Sequence, residues 1–198
     1  VIAVGSLSAG GLGKTPLVEF LAMQLTRAGR RIVVITNGYK KKQPGLTLVS
    51  DGHKILADVN EAGDEAFMLA VNFQSAKMRV PVIACSDRVK AMRLIEDRFD
   101  ADAVILDDAF QYRKLRKNIE LVVQDFYEIQ EPQMLLPVGR WRDLPMSLKR
   151  ADSVVIAKTP ESDPSGIQNY FGRSCRGSHY KPVELVRGFD GPCEPLEF

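Results

Sequence analysis

Apolar residues in this chain occur in short, nearly continuous runs that alternate with longer stretches of helical periodicity. The runs cover residues 1–5, 31–36, 80–84, 103–107, 121–124 and 153–157. Strands that are apolar on both faces are typical of a parallel sheet covered by helices on each side. The pattern therefore predicts an α/β fold with a doubly wound, mostly parallel sheet.

Three stretches between these runs predict helices. Residues 14–28 place apolar side chains three and four positions apart, and Gly29 follows as a suitable C-terminal cap. Residues 64–73 and 87–99 are also predicted to be helical, and Ser86 is the predicted N-cap of the last helix.

Two segments depart from this alternation. Residues 46–50 and 54–57 flank an Asp-Gly pair and predict a β-hairpin that decorates the sheet. After residue 160 the pattern weakens into Pro, Gly and Ser. We therefore expect one core domain over residues 1–160 and the start of a second, truncated unit over residues 161–198.

Composition narrows the class of protein. The 27 Lys and Arg nearly balance the 25 Asp and Glu, so no global charge favours nucleic acid as a partner. The three widely spaced cysteines argue against a disulfide framework or a zinc site and fit a reducing compartment. The chain begins within a strand without Met and ends without a closing element, so we expect it to be part of a longer protein. No apolar run approaches the roughly 18 residues of a membrane-spanning helix.

The strongest chemical signal is the segment SAGGLGKT between the first strand and the first helix, which is the context of a P-loop. Glycines let successive backbone N–H groups face phosphate oxygens, and the helix N-terminus adds its positive dipole end. The predicted phosphate-binding residues are Ser8, Ala9, Gly10, Gly11, Leu12, Gly13, Lys14 and Thr15. Lys14 is expected to reach the β- and γ-phosphates, and Thr15 to ligate Mg²⁺. The usual first glycine is Ser8 here, and an ordinary glycine-rich turn is the alternative.

A second signal is the apolar strand 103–107 that ends in the paired carboxylates Asp107 and Asp108. The carboxyl ends of parallel strands face the ligand, so either carboxylate would arrive beside the metal of the P-loop. These residues are the predicted Mg²⁺ ligands together with Thr15. An acidic helix cap or turn is the alternative interpretation.

With these two signals in place, the chain resembles the tetraacyldisaccharide 4'-kinase family over nearly all of residues 1–160. The resemblance rests on the segments GGLGKTP (10–16), NGYK (37–40), GDE (63–65), LDDAFQ (106–111) and LLPVGRWRD (135–143). It implies a P-loop kinase that uses ATP and Mg²⁺ to phosphorylate the 4'-hydroxyl of a tetraacylated glucosamine disaccharide 1-phosphate in lipid A biosynthesis.

The resemblance also assigns catalytic roles. Asp64 matches the family's proposed general base, although by its position alone it is equally suited to cap the helix that it opens. Arg142 matches an arginine that stabilises the transferring phosphoryl group or grips the acceptor's phosphate. Lys14, Asp107 and Asp108 complete the predicted catalytic set.

Other residues near the motifs have open interpretations. Arg140 and Trp141 are candidates to contact the lipid headgroup, or they lie in a solvated basic loop. Lys40, Lys41 and Lys42 form a charge run that we interpret as solvated rather than lipid-binding.

The chain departs from the family at Asn37, where Arg is usual, and at Tyr112, where His is usual. These departures put acceptor affinity or turnover in doubt. The histidine that assists the family's base is expected beyond the last residue, and His53 and His179 are given no catalytic role. A fragment of this kind is expected to bind nucleotide and to turn over poorly.

The acceptor implied by the resemblance is amphipathic. We therefore expect the intact protein to act at a membrane surface, either peripherally or through an N-terminal segment that precedes this chain. Because ATP is required, the expected location is the cytoplasmic face of a bacterial inner membrane.

Three other functions stay open on the sequence. A dimeric P-loop ATPase that positions proteins or plasmids would carry an additional lysine at the place of Ala9. A GTP-driven switch would carry an aspartate two residues after the lysine of the stretch AKTP (157–160), and Pro160 occupies that place. An inactive kinase-like partner is favoured only by Asn37 and Tyr112.

Overall fold

The computed structural model describes residues 1–42, 44–132, 134–159, 169–170 and 173–177. Its strands are β1 (Ile2–Gly5), β2 (Ile32–Thr36), β3 (Thr47–Ser50), β4 (Val82–Ala84), β5 (Ala103–Leu106), β6 (Ile119–Asp125), β7 (Ser153–Ala157), β8 (Asn169–Tyr170) and β9 (Arg173–Gly177). Its α-helices are α1 (Lys14–Arg27), α2 (Val59–Ala62), α3 (Asp64–Ser75) and α4 (Arg88–Arg98). Two 3₁₀ helices cover Glu128–Gln130 and Pro145–Arg150.

The strands form one sheet in the order β3-β4-β2-β5-β1-β6-β7-β9-β8. All neighbours pair in parallel except β3 with β4 and β8 with β9, which are antiparallel at the two edges. β1 lies at the centre, between β5 and β6. The loops that follow β1 and β5 therefore leave the same edge of the sheet side by side, which is where α/β proteins bind their ligands.

Helices cover both faces of the sheet, as predicted. One buried cluster joins α1 and α3 to the sheet and includes Val18, Leu69 and Phe73. Another lies under α4, around Ala91 and Ile95. Each large apolar side chain buried in this way contributes roughly 1.5–3 kcal/mol to stability. The predicted doubly wound α/β fold is confirmed.

The predicted hairpin is wrong in its second arm. Residues 47–50 form β3 at the sheet edge, but residues 54–57 return through a single bridge between Ser50 and Ile55. The Asp51 carboxylate accepts hydrogen bonds from the backbone N–H groups of His53 and Lys54, at 2.8 and 2.9 Å. This local side-chain turn competes with strand pairing, so the returning arm keeps the Ser50–Ile55 bridge and a hydrogen bond from the Leu56 N–H to the Val49 carbonyl but forms no regular ladder.

The N-cap of α4 is Asp87 rather than the predicted Ser86. The Asp87 carboxylate accepts from the backbone N–H groups of Val89 and Lys90, at 3.1 and 3.3 Å. A carboxylate at this position also complements the positive end of the helix dipole, which explains why it replaces the neighbouring serine.

The predicted second unit lies mostly outside the described residues. Within it, β9 pairs in parallel with β7 and so continues the same sheet. The boundary at residue 160 stays a prediction. Along the described part of the chain, none of the helices combines the length and apolarity needed to traverse a bilayer.

Candidate functional site

The P-loop connects the end of β1 to the first turn of α1. Gly10 and Gly13 adopt φ of +127° and +85°, backbone angles that residues other than glycine rarely adopt. Gly13 also caps α1, so the chain turns directly from the loop into the helix. A cavity of about 320 Å³ opens over residues 10–16 and is also lined by Glu65 and Lys158. The loop therefore has the geometry that binds phosphate at a helix N-terminus.

Lys14 lies against its own loop. Its Nζ donates to the Ser6 hydroxyl and to the Gly10 carbonyl, both at 3.3 Å. The same Nζ is 3.6 Å from the Asp108 carboxylate. These contacts hold the ammonium group between the P-loop and the acidic end of β5, as its predicted role requires.

Asp107 directly follows β5 and is 1% exposed. Its Oδ2 accepts from the Thr15 hydroxyl at 3.3 Å, whereas its Oδ1 is buried without a hydrogen-bond partner. Burial, and secondarily the charges of Glu65 and Asp108, raises the pKa of Asp107 to about 7. A buried carboxylate oxygen that lacks a partner beside a threonine hydroxyl is suited to a divalent cation.

The predicted magnesium ligands fit this arrangement in part. Thr15 and Asp107 are in contact, while Asp108 is bound by Lys14 and Arg142 instead. Within residues 1–42, 44–132 and 134–159, no three His, Cys, Asp or Glu side chains form a metal cluster of their own. Mg²⁺ usually combines one or two protein ligands with water and phosphate oxygens, so Thr15 and Asp107 suffice. The assignment of Asp108 as a ligand stays a prediction.

Arg142 forms a two-point ion pair with Asp108. Its Nη1 is 3.0 and 2.8 Å from the two carboxylate oxygens. Asp108 has a positive φ of 47°, which turns its side chain out of the strand direction. The segment that carries Arg142 is fixed to the P-loop by a bridge between Ser8 and Trp141. Trp141 is 4% exposed and packs in a cluster with Leu7, so it is not available to a lipid headgroup.

Asp64 is not brought into contact with the other predicted catalytic residues. It is the first residue of α3, and the N-cap of this helix is Gly63. The side chain is 62% exposed, and its carboxylate lies 3.4 Å from Lys40 Nζ. The neighbouring Glu65, rather than Asp64, lines the cavity over the P-loop. The structure thus unites Lys14, Thr15, Asp107, Asp108 and Arg142, and pairs Asp64 with Lys40 instead.

Glu65 and Arg88 are site residues that the sequence analysis missed. Glu65 lies inside a motif that was recognised, so attention to both acids of GDE would have found it. No motif contains Arg88, and an arginine in the first turn of a predicted helix is expected to be exposed to solvent. In the structure it is 3% exposed and donates to the Asp107 carbonyl at 2.9 Å.

Both departures from the family pattern lie next to Arg88. Its Nη1 donates to Asn37 Oδ1 at 3.0 Å, and its guanidinium is 5.7 Å from the centre of the Tyr112 ring. The Tyr112 hydroxyl donates to Asp87 at 3.2 Å. Asn37 and Tyr112 therefore support one buried cation. A cavity of about 280 Å³ opens here, lined by Asn37, Ser86, Arg88, Asp108, Gln111, Tyr112 and Arg142.

Comparison with known proteins gives consistent matches. The profile of the family described as LpxK, Tetraacyldisaccharide-1-P 4'-kinase, matches residues 1–188. The Tetraacyldisaccharide 4'-kinase of Halothermothrix orenii is 40% identical over 178 residues, which are 89% of this chain and 45% of the relative. That of Geobacter metallireducens is 36% identical over 190 residues, 95% of this chain and 55% of the relative.

A solved structure is also similar. It is the crystal structure of LpxK from Aquifex aeolicus in complex with ATP, with a TM-score of 0.74 and 31% sequence identity. The match covers 88% of this chain and 52% of that chain. This chain therefore spans about half the length of the relatives that it matches.

Proposed function

This chain belongs to the tetraacyldisaccharide-1-P 4'-kinase family, and from that membership we propose that the intact protein transfers the γ-phosphate of ATP to the 4'-hydroxyl of a tetraacylated glucosamine disaccharide 1-phosphate. The proposal concerns the intact protein because the chain spans only about half the length of its relatives. The chain supplies the nucleotide side of the reaction.

The observation that carries the proposal is the buried carboxylate of Asp107 beside Thr15. Its partnerless Oδ1 and its raised pKa leave a place for a divalent cation at the foot of the P-loop. Lys14 lies within 3.6 Å of the adjacent Asp108. Phosphoryl transfer needs a phosphate-binding loop, a site for a divalent cation and a positively charged side chain close together.

The residues of this chain divide the work as follows. Backbone N–H groups of the P-loop and Lys14 bind the phosphates, while Thr15 and Asp107 hold Mg²⁺. When bound, Mg²⁺ neutralises negative charge on the phosphate oxygens. Arg142 is held by Asp108 at the same edge, where its planar guanidinium can pair with a phosphoryl group.

Asp64 is the proposed base for the acceptor. It lies on the first turn of α3, next to the Glu65 that lines the P-loop cavity. An exposed carboxylate can orient an incoming sugar hydroxyl and accept its proton, and orientation alone provides much of the catalysis in phosphoryl transfer.

Membrane association follows from the acceptor, whose acyl chains stay in a bilayer while its sugars reach the site. Apolar side chains near Arg142 support such a surface, since Val138 is 75% exposed and Met146 is 68% exposed. The need for ATP assigns the reaction to the cytoplasmic face of a bacterial inner membrane.

Family membership favours the kinase over the ATPase and GTPase switches that the sequence left open. An inactive relative differs from a kinase only in turnover. Transfer of labelled γ-phosphate to the disaccharide by the intact protein therefore decides between these two.

The test compares wild type, Asp64→Asn and the matched control Asp97→Asn, which removes an exposed aspartate from α4. We expect transfer by wild type and by Asp97→Asn. For Asp64→Asn we expect a rate lower by roughly 10²–10⁴-fold with unchanged ATP affinity, as for loss of a general base. Full activity of Asp64→Asn would remove Asp64 from the mechanism. Failure of the wild-type protein to phosphorylate the disaccharide would overturn the proposed function.

A further inference from the structure

The backbone at Arg140 is joined to the first residues of the P-loop. The Arg140 carbonyl accepts a hydrogen bond from the Ala9 N–H at 2.8 Å, and Trp141 forms a bridge with Ser8. Because Trp141 is buried, this attachment is anchored in the core. The base of the Arg140 side chain is therefore fixed relative to the loop.

The Arg140 side chain extends across Gly10. A Cβ atom at Gly10 would lie only 2.5 Å from Arg140 Nη2, so the guanidinium occupies the space that a larger residue would need. Lys14 Nζ contacts the carbonyl of the same Gly10. In P-loops this lysine reaches the β- and γ-phosphates, so Gly10 lies where the terminal phosphates bind. Two cations thus meet at the same residue of the loop.

Glu128 holds Arg140 in this position. Its Oε1 is 2.7 Å from Arg140 Nη1, and its Oε2 accepts from the Ser8 hydroxyl at 2.8 Å. The carboxylate side chain is 14% exposed, whereas the arginine side chain is 63% exposed. An ion pair with one solvated partner contributes little to stability, so the guanidinium can exchange the carboxylate for a stronger acceptor. The terminal phosphate is such an acceptor because it carries more negative charge than a carboxylate, and because it can pair with two guanidinium nitrogens whereas Glu128 contacts Nη1.

We propose that Arg140 is an additional phosphate-binding residue that contacts the terminal phosphate of the bound nucleoside triphosphate. Before the triphosphate binds, Glu128 holds the Arg140 guanidinium beside Gly10. The proposal rests on the proposed function only in taking a triphosphate as the donor. It gives Arg140 a role different from contact with a lipid headgroup.

Binding measurements on the intact protein test this without relying on turnover. Calorimetry would give the affinities for Mg-ATP and Mg-ADP of wild type, Arg140→Gln, Glu128→Gln and the control Arg93→Gln, which removes an exposed arginine of α4. We expect Arg140→Gln to weaken ATP binding roughly ten-fold and to leave ADP binding within two-fold, as for loss of one charge-assisted hydrogen bond. Glu128→Gln is expected to strengthen ATP binding because it releases the arginine. Arg93→Gln should change neither affinity.

A structural clamp predicts a different pattern. If Arg140 and Glu128 only fasten the 140–142 segment to the P-loop, both variants weaken ATP and ADP equally and lower the melting temperature together. That result, or an unchanged preference for ATP in Arg140→Gln, would overturn the inference while wild-type ATP binding left the proposed function standing. Absence of ATP binding by wild type would instead contradict both.

Discussion

The region around the P-loop and the region around Asp64 differ in burial and in the number of partners. Asp107 is 1% exposed and touches Thr15, and Lys14 is held by Ser6, Gly10 and Asp108. Asp64, by contrast, is 62% exposed and pairs with a lysine that is 61% exposed. Such a solvated pair contributes at most about 1 kcal/mol.

In the proposed function, this difference separates two tasks. On the side proposed for the phosphates, Lys14, Thr15 and Asp107 are held by burial and mutual contacts before any ligand arrives, as electrostatic catalysis requires. On the side proposed for the acceptor, Asp64 presents an exposed carboxylate that the proposed amphipathic substrate can approach. We infer that substitutions on the phosphate side alter binding and stability strongly, and that those on the acceptor side alter turnover with little effect on nucleotide affinity.

The largest expected effect is that of Lys14→Ala. It removes the ammonium group that the P-loop presents to the β- and γ-phosphates, so ATP affinity should fall roughly 10²–10³-fold. Fluorescence or calorimetric titration measures this directly, with the exposed Lys90→Ala on α4 as the control. Equal ATP affinities of the two variants would show that the P-loop is not the phosphate site.

Asp107→Asn tests the burial of this carboxylate through the pH dependence of stability. In the folded protein the pKa of Asp107 is raised from 3.8 to about 7, so its proton contributes stability below pH 4 that is lost as the pH rises to 7. Without metal or nucleotide, wild type should therefore lose on the order of 2–3 kcal/mol relative to Asp107→Asn between pH 5 and pH 8.

Urea unfolding in EDTA at pH 5 and pH 8 measures this effect as the difference between the two proteins. A stability difference that does not change with pH would contradict the burial of this carboxylate, whose Oδ1 has no hydrogen-bond partner.

The smallest expected effect is that of Tyr112→Phe. It removes the hydrogen bond to Asp87 and keeps the ring beside Arg88. We expect a loss of about 0.5–1.5 kcal/mol in the free energy of unfolding, and unchanged nucleotide affinity. Tyr127→Phe, at a residue that is 59% exposed, is the control for the loss of a hydroxyl group. A drop in ATP affinity in Tyr112→Phe would contradict the expectation that this hydroxyl affects stability without affecting nucleotide binding.

The sheet and the phosphate loop could be predicted because their signals are local. Buried parallel strands such as β5 are apolar throughout, and the P-loop lies directly between a strand and a helix. The prediction of a strand as the second arm of the hairpin was wrong because the Asp51 carboxylate accepts hydrogen bonds from the backbone N–H groups of the turn. The prediction of Ser86 as the N-cap of α4 was wrong because the stronger capping group, the Asp87 carboxylate, follows one residue later.

Contacts between segments that are distant along the chain could not be predicted from the sequence. Nothing in residues 8, 128 and 140 indicates that they meet, because the encounter depends on how the segment after β6 crosses the P-loop. Arg88 was missed for the same reason: its burial follows from the packing of α4 against the ends of β2 and β5, not from its place in a helical pattern.

The most direct test of the account is a calorimetric titration of the intact protein with ATP, in Mg²⁺ and in EDTA. We predict one binding event that is strong in Mg²⁺, much weaker in EDTA, and lost in Asp107→Asn to the level seen in EDTA. Binding that is equally strong with and without Mg²⁺, or the absence of any binding by a folded protein, would contradict the assignment of Thr15 and Asp107 as the cation site beneath the P-loop.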